Sequence, residues 1–424
     1  MILFLQSLFI SFVILHRGNI WVALIPNPSN VIINIGVYLF LLSMLVRRSD
    51  IVKCSYGIFM LIFFSMLVVI VTLPYYPVFF KINTIGGYLL VTSLSVLIVS
   101  LWEIRQEIVV ARVYIIICTI ISVLGILAWL IVQFEFMIHH NIDPEHVIHI
   151  TEFTAGRWSM GEPVGAAPNI LGFHRSIFSF PYSLGLILVG SVVQDFFGVP
   201  FFRASAIFHE PFGNIFLITP MIILTCNSIY FGKWPRRILL AIQLCYMIVS
   251  FSVSIIISLI SVYVLYNILL FIKDSSWRNS SGFLRFIFIL SIIGLITYLG
   301  IKVSPATVLT KNIITTKFAS GNYKYNFLET ISNPYTFFAY YFFSITSLWC
   351  SWKAVKLNNK MLLSYSLIMV SFIVVSLKGA FLHVLICPAF LIFFFLMIKK
   401  LSGSVDLSGI YQYYHSPQTN NLRP

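Results

Sequence analysis

An all-α, polytopic membrane bundle is the fold class this sequence predicts, and three observations predict it. Of its 424 residues, 59% are apolar and only 9% are charged, against about a quarter charged in soluble domains. Apolar stretches of about 18 residues or more, each long enough to cross about 30 Å of hydrocarbon, recur from one end to the other. The formal net charge is +14, but the basic residues fall in short clusters between those stretches. That is the positive-inside pattern rather than a nucleic-acid footprint. No room is left for a separate water-soluble domain.

Twelve spans follow, oriented by their Lys and Arg content. Residues 1–15 have no basic stretch ahead of them and no small-residue cleavage site, so a retained outward helix is expected, not a signal peptide. Residues 31–46 return to Arg47, Arg48 and Lys53; 54–73 exit; PYYPVFFKIN turns; 85–101 return to Arg105 and Arg112; and 113–133 exit again. The next basic cluster, Lys233, Arg236 and Arg237, requires the span ahead of it, 212–230, to run inward. Residues 134–211 then form one large outer loop. Its apolar piece, 183–197, cannot cross without turning every later basic cluster outward, so an interfacial or re-entrant segment is expected.

Residues 238–272 carry almost no charge over a length too great for one helix and right for a tight pair, closed inside by Lys273, Arg278 and Arg285. Residues 286–301 exit, 302–334 form a second outer loop, and 335–352 return to Lys353, Lys356 and Lys360. A last pair, 361–376 and 380–398, ends at Lys399 and Lys400, leaving 399–424 as a loose cytoplasmic tail. The organisation is thus five spans in 1–133, the outer loop, four spans in 212–301, the second loop, and three spans in 335–398, with both termini cytoplasmic. Seventeen of the 27 Lys and Arg lie inside and ten outside. Outer cations that topology does not need favour an anionic partner. No fixed-period repeat and no similarity between the halves is visible, which counts against a pseudo-symmetric transporter. The six cysteines, Cys54, Cys118, Cys226, Cys245, Cys350 and Cys387, lie scattered in apolar runs without CxxC spacing, so neither disulfides nor a cysteine metal site is expected.

Chemistry should concentrate in the two long outer loops, where ionisable residues stand beside aromatics. The first holds Arg157, Arg175 and Arg203 with Glu162, His174, His209 and Glu210. Its segment FFRASAIFHEPFGNIFLITP runs into the next span: Pro211 suits a first helical turn, Glu210 falls beside the helix N-terminus, and Arg203 lies about two turns upstream. The segment resembles the Arg-x-Ser/Gly-x-Phe-x-Glu-Pro signature of the bacterial O-antigen polymerase and O-antigen ligase superfamily, with Arg203, Ser205, Phe208, Glu210 and Pro211 in the same order and one residue more between Ser205 and Phe208. Ser250, Ser252 and Ser254 resemble the family's Ser-rich stretch after the motif span. KFASGNYKYNFLETISNPYTFF resembles its second loop, in which a basic residue precedes a short helix ending in Asn-Pro. Here the glycines that often follow that proline are replaced by residues 335–341, and Lys317 and Lys324 stand where arginine is the better diphosphate clamp.

The resemblance implies a GT-C-like helical bundle in the bacterial inner membrane, with its active site facing the periplasm. There a glycan passes from undecaprenyl diphosphate to a hydroxyl of another lipid-linked repeat unit. It implies that Arg203, Arg157 and Arg175 hold the diphosphate, helped by Lys317 or Lys324, while Glu210, His209 or His174 serves the acceptor hydroxyl. Lys378 and His383 either face the same cavity or pack within the bundle. Neither outer loop contains an Asp-x-Asp pair, which suits transfer without a metal or other cofactor. Membrane lipids are expected partners, and a chain-length regulator protein is a candidate one. Two neighbouring functions stay open: a ligase moving the glycan to lipid A core, and a flippase for lipid-linked repeats. The flippase needs charge buried mid-membrane rather than in loops.

Plainer readings stand beside these. Arg203 and Glu210 also read as a structural ion pair anchoring a helix end. Arg157 and Arg175 equally pair with solvent or lipid phosphate. The group His139, His140, His146 and His149 with Glu145 and Glu152 reads as a metal site or as a solvated polar loop. The 40 phenylalanines read as core and lipid packing, with Trp158, Tyr182 and Tyr323 as candidates to stack on sugar rings.

Overall fold

The computed structural model describes residues 2–15, 35–36, 39, 82–139, 183–184, 187–190, 195–196, 199–200, 203–208, 211–250, 252–274, 334–376 and 387–402. Secondary structure there is mostly helical, as the composition requires. In chain order the helices are α1 (Ile2–Ile14), α2 (Ile82–Ser100), α3 (Ile104–His139), α4 (Ile215–Cys226), α5 (Lys233–Ser250), α6 (Val253–Asp274), α7 (Pro334–Lys356), α8 (Lys360–Ser376) and α9 (Pro388–Ser402). A turn of 3-10 helix, Pro211–Asn214, leads into α4. Within α3 and α6 lie the two described helices long and apolar enough to cross a membrane, Ile104–Ile131 and Ser254–Lys273.

The local sequence explains the boundaries. Glu103 stands immediately before α3, and its backbone N–H donates to Gln106 Oε1 at 3.0 Å, the return bond of a capping box. Pro334 and Pro388 each occupy the first helical position, where a missing N–H costs nothing. Asn227 ends α4 by accepting from the Ile229 N–H (3.1 Å) and donating to the Lys360 carbonyl (3.0 Å). At the centre lies α8, apolar nearly all round and buried nearly all round. Against it packs an aromatic core in which Phe343 meets Phe390 and Phe394 edge-on, with centroids 5.0 and 4.8 Å away.

One end of the bundle is tied by charge. Glu107, buried in the first turns of α3, pairs with Lys399 (2.8 Å) and Lys400 (2.7 Å) at the end of α9. Lys399 Nζ also donates to the carbonyls of Val99 (2.8 Å) and Trp102 (2.7 Å), closing the end of α2. Trp102 Nε1 in turn donates to Gln6 Oε1 of α1 at 3.0 Å. Nearby turns are laced together: Arg112 Nε donates to the Tyr230 carbonyl (2.6 Å) and Lys273 Nζ to Asn358 Oδ1 (2.6 Å). The start of α3 therefore meets the turn that follows α4, so these two helices run antiparallel.

Several boundaries depart from expectation. Arg105 and Arg112, expected in a loop, are helical because the capping box starts α3 at Ile104. The same helix continues to His139, into the expected outer loop. Lys233, Arg236 and Arg237 belong to α5, Lys353 and Lys356 to α7, and Lys399 and Lys400 to α9. The all-α expectation also needs a local correction. Five short strands occupy the stretch around the apolar piece 183–197: β1 (Ser183–Leu184), β2 (Ile187–Gly190), β3 (Asp195–Phe196), β4 (Val199–Pro200) and β5 (Arg203–Ala206). They form an antiparallel sheet in the order β1-β2-β5 and a separate β3-β4 pair. Most of 31–46, all of 54–73 and 286–301, and the tail beyond 402 lie outside the described residues.

Replacing Glu107 with Gln removes the counter-charge of buried Lys400 and one of the partners of Lys399, and removing one partner of a buried pair typically costs about 3 kcal/mol or more. A clear fall in the thermal unfolding midpoint of the detergent-solubilised protein is expected, partly restored by adding Lys400→Met. An unchanged midpoint would show that the ion pairs contribute nothing.

Candidate functional site

The segment RASAIF is where sequence and structure converge. β5 lies against both α3 and α5. Ala204, Ser205, Ala206, Ile207 and Phe208 are all fully buried, while Arg203 is half-buried. Small side chains let this backbone enter the helix layer, and α3 answers with Gly125. A Cβ there would lie 2.6 Å from Tyr246 Cε2 and 3.1 Å from Ala206 Cβ. The strand pairs with β2, Arg203 opposite Gly190 and Ala204 opposite Val189, and the register shifts before Leu188 meets Ala206. That leaves Ser205 as the extra residue of a bulge. Ala206 follows with φ 50°, in the left-handed region that alanine adopts at a cost. The Phe208 N–H then donates to the Ser205 carbonyl at 3.0 Å, closing a tight turn.

A single side chain holds this turn to the helices. Asn214, fully buried at the end of the 3-10 turn, donates through Nδ2 to the Ala204 carbonyl at 2.9 Å and accepts the Tyr246 hydroxyl at 2.8 Å. It thus joins β5, α4 and α5. Phe208 sits beneath Gly213, where an added Cβ would come within 2.8 Å of its ring. One layer deeper, Gln243 Nε2 donates to Thr119 Oγ1 and Thr225 Oγ1, both at 3.0 Å, linking α5 to α3 and α4. Tyr114 donates to the Phe216 carbonyl at 2.8 Å. This is the carbonyl that Pro220, lacking an N–H, leaves without its helical partner.

From Ile104 to Gly125, α3 rises about 30 Å at 1.5 Å per residue, about the thickness of a hydrocarbon core. The RASA strand therefore lies about 27 Å along α3 from the Glu107 ion pairs, at 1.5 Å per residue from Glu107 to Gly125. Among the described residues, Arg203 is a cation at this level. α6, which opens just after Ser252, packs against the Pro211–Asn214 turn, so the Ser-rich stretch and the signature segment share one end of the bundle. Ser250, Ser252 and Ser254 are all buried there.

Of the residues singled out in sequence, Arg203, Ser205 and Phe208 fall in this arrangement, and Pro211 begins the 3-10 turn as its position suggested. Arg203 is on a strand, however, not a helical approach. Glu210, His209, Arg157, Arg175, His174, Lys317, Lys324 and Lys378 lie outside the described residues, as do His140, His146, His149 and the proposed sugar-stacking aromatics. Pro334 opens α7. Among the described residues, no group of three His, Cys, Asp or Glu is placed to hold a metal ion. Sequence reasoning passed over Asn214, Tyr246, Gln243 and Gly125. The available signal was an amide or a phenol within an apolar run such as ILLAIQLCYMIVS.

No protein-family model, curated protein or solved structure matches the chain. The functional reading therefore rests on the residues and their arrangement.

Asn214→Ala removes both bonds and leaves the Ala204 carbonyl and the Tyr246 hydroxyl buried without that partner. A loss of about 2–3 kcal/mol is expected, with Tyr246→Phe costing about half as much. Thermal unfolding of the purified protein measures both, and equal midpoints for all three proteins would show that Asn214 does not secure the strand.

Proposed function

We propose that this chain is a polytopic glycosyltransferase of the polysaccharide repeat-unit polymerase type, acting on undecaprenyl-diphosphate-linked oligosaccharides at the outer face of a bacterial inner membrane. The observation that carries the reading is the Arg203-x-Ser205-x-x-Phe208 run, held as a buried, bulged strand with its arginine half-buried about 27 Å along α3 from the Glu107 ion pairs. Twelve crossings and cytoplasmic termini remain part of the proposal.

The outer surface of the helices supports the membrane setting. α3 exposes Ile116, Ile120, Leu127 and Phe134, and α7 exposes Tyr341, Ile345, Leu348 and Trp349, in each case along one face. Apolar stripes of this extent suit lipid rather than water. α5 carries the pattern furthest: Gln243, Tyr246 and Ser250 face inward while Ile238, Leu244 and Ile248 face outward.

In the proposed reaction the bond between the donor's anomeric carbon and the diphosphate oxygen breaks, and a bond forms from that carbon to an acceptor hydroxyl oxygen. The hydroxyl proton passes to Glu210 or His209, and undecaprenyl diphosphate leaves with the bonding electrons. Arg203, with Arg157, Arg175 and Lys317 or Lys324, neutralises the charge that develops on the leaving group. A guanidinium fork holds phosphate oxygens bidentately, and a fixed charge stabilises the transition state without reorganising. His174 and Lys378 line the glycan path in this reading.

Arg203→Ala should leave the protein in the membrane at its usual level while the rate of chain extension falls about 100-fold, as when a fixed oxyanion donor is removed. Lipopolysaccharide gels would then carry core plus a single repeat in place of long chains. Normal chain lengths in a well-expressed variant rule out the role, and bare core without any repeat reassigns the chain to the ligase reaction.

Sidedness has its own readout. A cysteine introduced at His209 should react with a membrane-impermeant maleimide added from the periplasmic side. Protection until the membrane is lysed, with a denatured control labelled normally, places the motif in the cytosol and removes the proposed chemistry.

A further inference from the structure

The exposed face of α5 combines two chemistries that neither its packing nor the proposed reaction uses. Its first turns carry Lys233, Arg236 and Arg237 and no acidic residue. Cations at this end of a helix oppose its dipole, so they do not serve the helix itself. Lys233 and Arg237 are exposed. Between them stands Trp234, 71% exposed, with the Arg237 guanidinium carbon 5.5 Å from its ring centroid. Continuing along the same face, Ile238, Leu244 and Ile248 are exposed at 60%, 43% and 59%. At 100° per residue these positions and Arg237 fall within one sector about 120° wide, with Lys233 at its margin. The opposite sector carries Gln243, Tyr246 and Ser250, which are buried against the bundle.

A cationic, aromatic-flanked head followed by an apolar rail matches a molecule with an anionic head and a hydrocarbon tail. We infer that this face of α5 is a binding site for an anionic phospholipid, with the phosphate held between Lys233 and Arg237, the glycerol region against Trp234, and an acyl chain along Ile238, Leu244 and Ile248. Charge complementarity selects an anionic over a zwitterionic lipid. The phosphate accepts from guanidinium and ammonium donors, and Trp234 occupies the amphipathic position that indoles prefer at a bilayer interface. The site is separate from the RASA strand and lies at the opposite end of the bundle, beside the turn that Arg112 binds at Tyr230. The inference rests on the membrane-spanning reading but on no part of the glycosyl transfer.

The test uses the full-length chain in nanodiscs of phosphatidylcholine doped with phosphatidylglycerol, released from the discs and weighed by native mass spectrometry. Wild-type protein should retain phosphatidylglycerol over phosphatidylcholine. Each cation near an anionic headgroup contributes about a fivefold preference, so Lys233→Gln with Arg237→Gln should weaken retention about 30-fold. An equal-charge control, Lys273→Gln with Lys360→Gln, alters amines already engaged by Asn358 and Ser228 and should retain the lipid like wild type. Retention indifferent to headgroup, or an equal loss in the control, overturns the site, and so does displacement by polyglutamate as readily as by lipid, which assigns the patch to acidic peptides. Failure to insert into phosphatidylcholine discs at all sinks the membrane reading instead, so the two failures are distinguishable.

Discussion

A polar group buried in this bundle gains most by finding a partner within the protein, and several helix contacts follow from how such groups do so. Hydroxyls solve the problem locally: Ser7, Ser95, Ser347 and Ser351 each donate to the carbonyl four residues back, using a bond that needs no other helix. Groups without a local solution are met from elsewhere, and each such bond ties particular elements together. The Phe216 carbonyl released by Pro220 brings Tyr114. The Ala204 carbonyl at the bulge brings Asn214, whose own acceptor brings Tyr246. Glu107 brings two lysines from the far end of the chain. Apolar packing fills the volume between these contacts but is too non-directional to have chosen them.

The parts of this scheme that were legible in sequence are those governed by length and hydropathy. Spans placed at 1–15, 85–101, 335–352 and 361–376 fall on α1, α2, α7 and α8, and the uncharged stretch 238–272 divides into α5 and α6 as two helices, which pack against other helices rather than as the expected tight pair. Helix ends were misjudged at Arg105, Arg112, Lys353 and Lys356, where charge served as the boundary marker. Arg112 and Lys356 are long enough to lie on a helix and still reach polar surroundings, so a cation near an apolar run marks proximity to an interface rather than the end of a helix. The strands were illegible for a different reason. Elements of two to four residues carry no usable period, and their partners are set by a register that depends on Asn214, Gly125 and Tyr246, far away in sequence.

The same logic explains how much of the site could be read. The signature residues announce themselves because arginine beside a proline-led helix is uncommon at the edge of an apolar span. What holds them does not: Asn214 and Tyr246 are 32 positions apart, and Gly125 reads as an ordinary helical glycine until Ala206 and the Tyr246 ring are placed over it. α5 then serves both ends of the molecule. Its inward face supplies Tyr246 and Gln243 to the signature region, and its outward face presents hydrocarbon, the reverse of a helix from a water-soluble protein.

Under the proposed function, a strand rather than a continuation of α4 suits Arg203 to anion stabilisation. A helix running on past Pro211 would have depended on its own hydrogen bonds for position, and its first turn frays. The strand is instead fixed at three points: to Gly190 through the sheet, to α4 and α5 through Asn214, and to the α3 groove through Ala206 against Gly125. The left-handed Ala206 is a cost of this route, roughly 1 kcal/mol for a residue with a Cβ, and surrounding contacts on this scale are sufficient to offset it. Strain held in this way has a functional logic when a charge must already be in place before the diphosphate develops its own. In the proposed reaction the rigidity of a buried, small-residue strand is what allows one half-exposed guanidinium to act without first being reoriented.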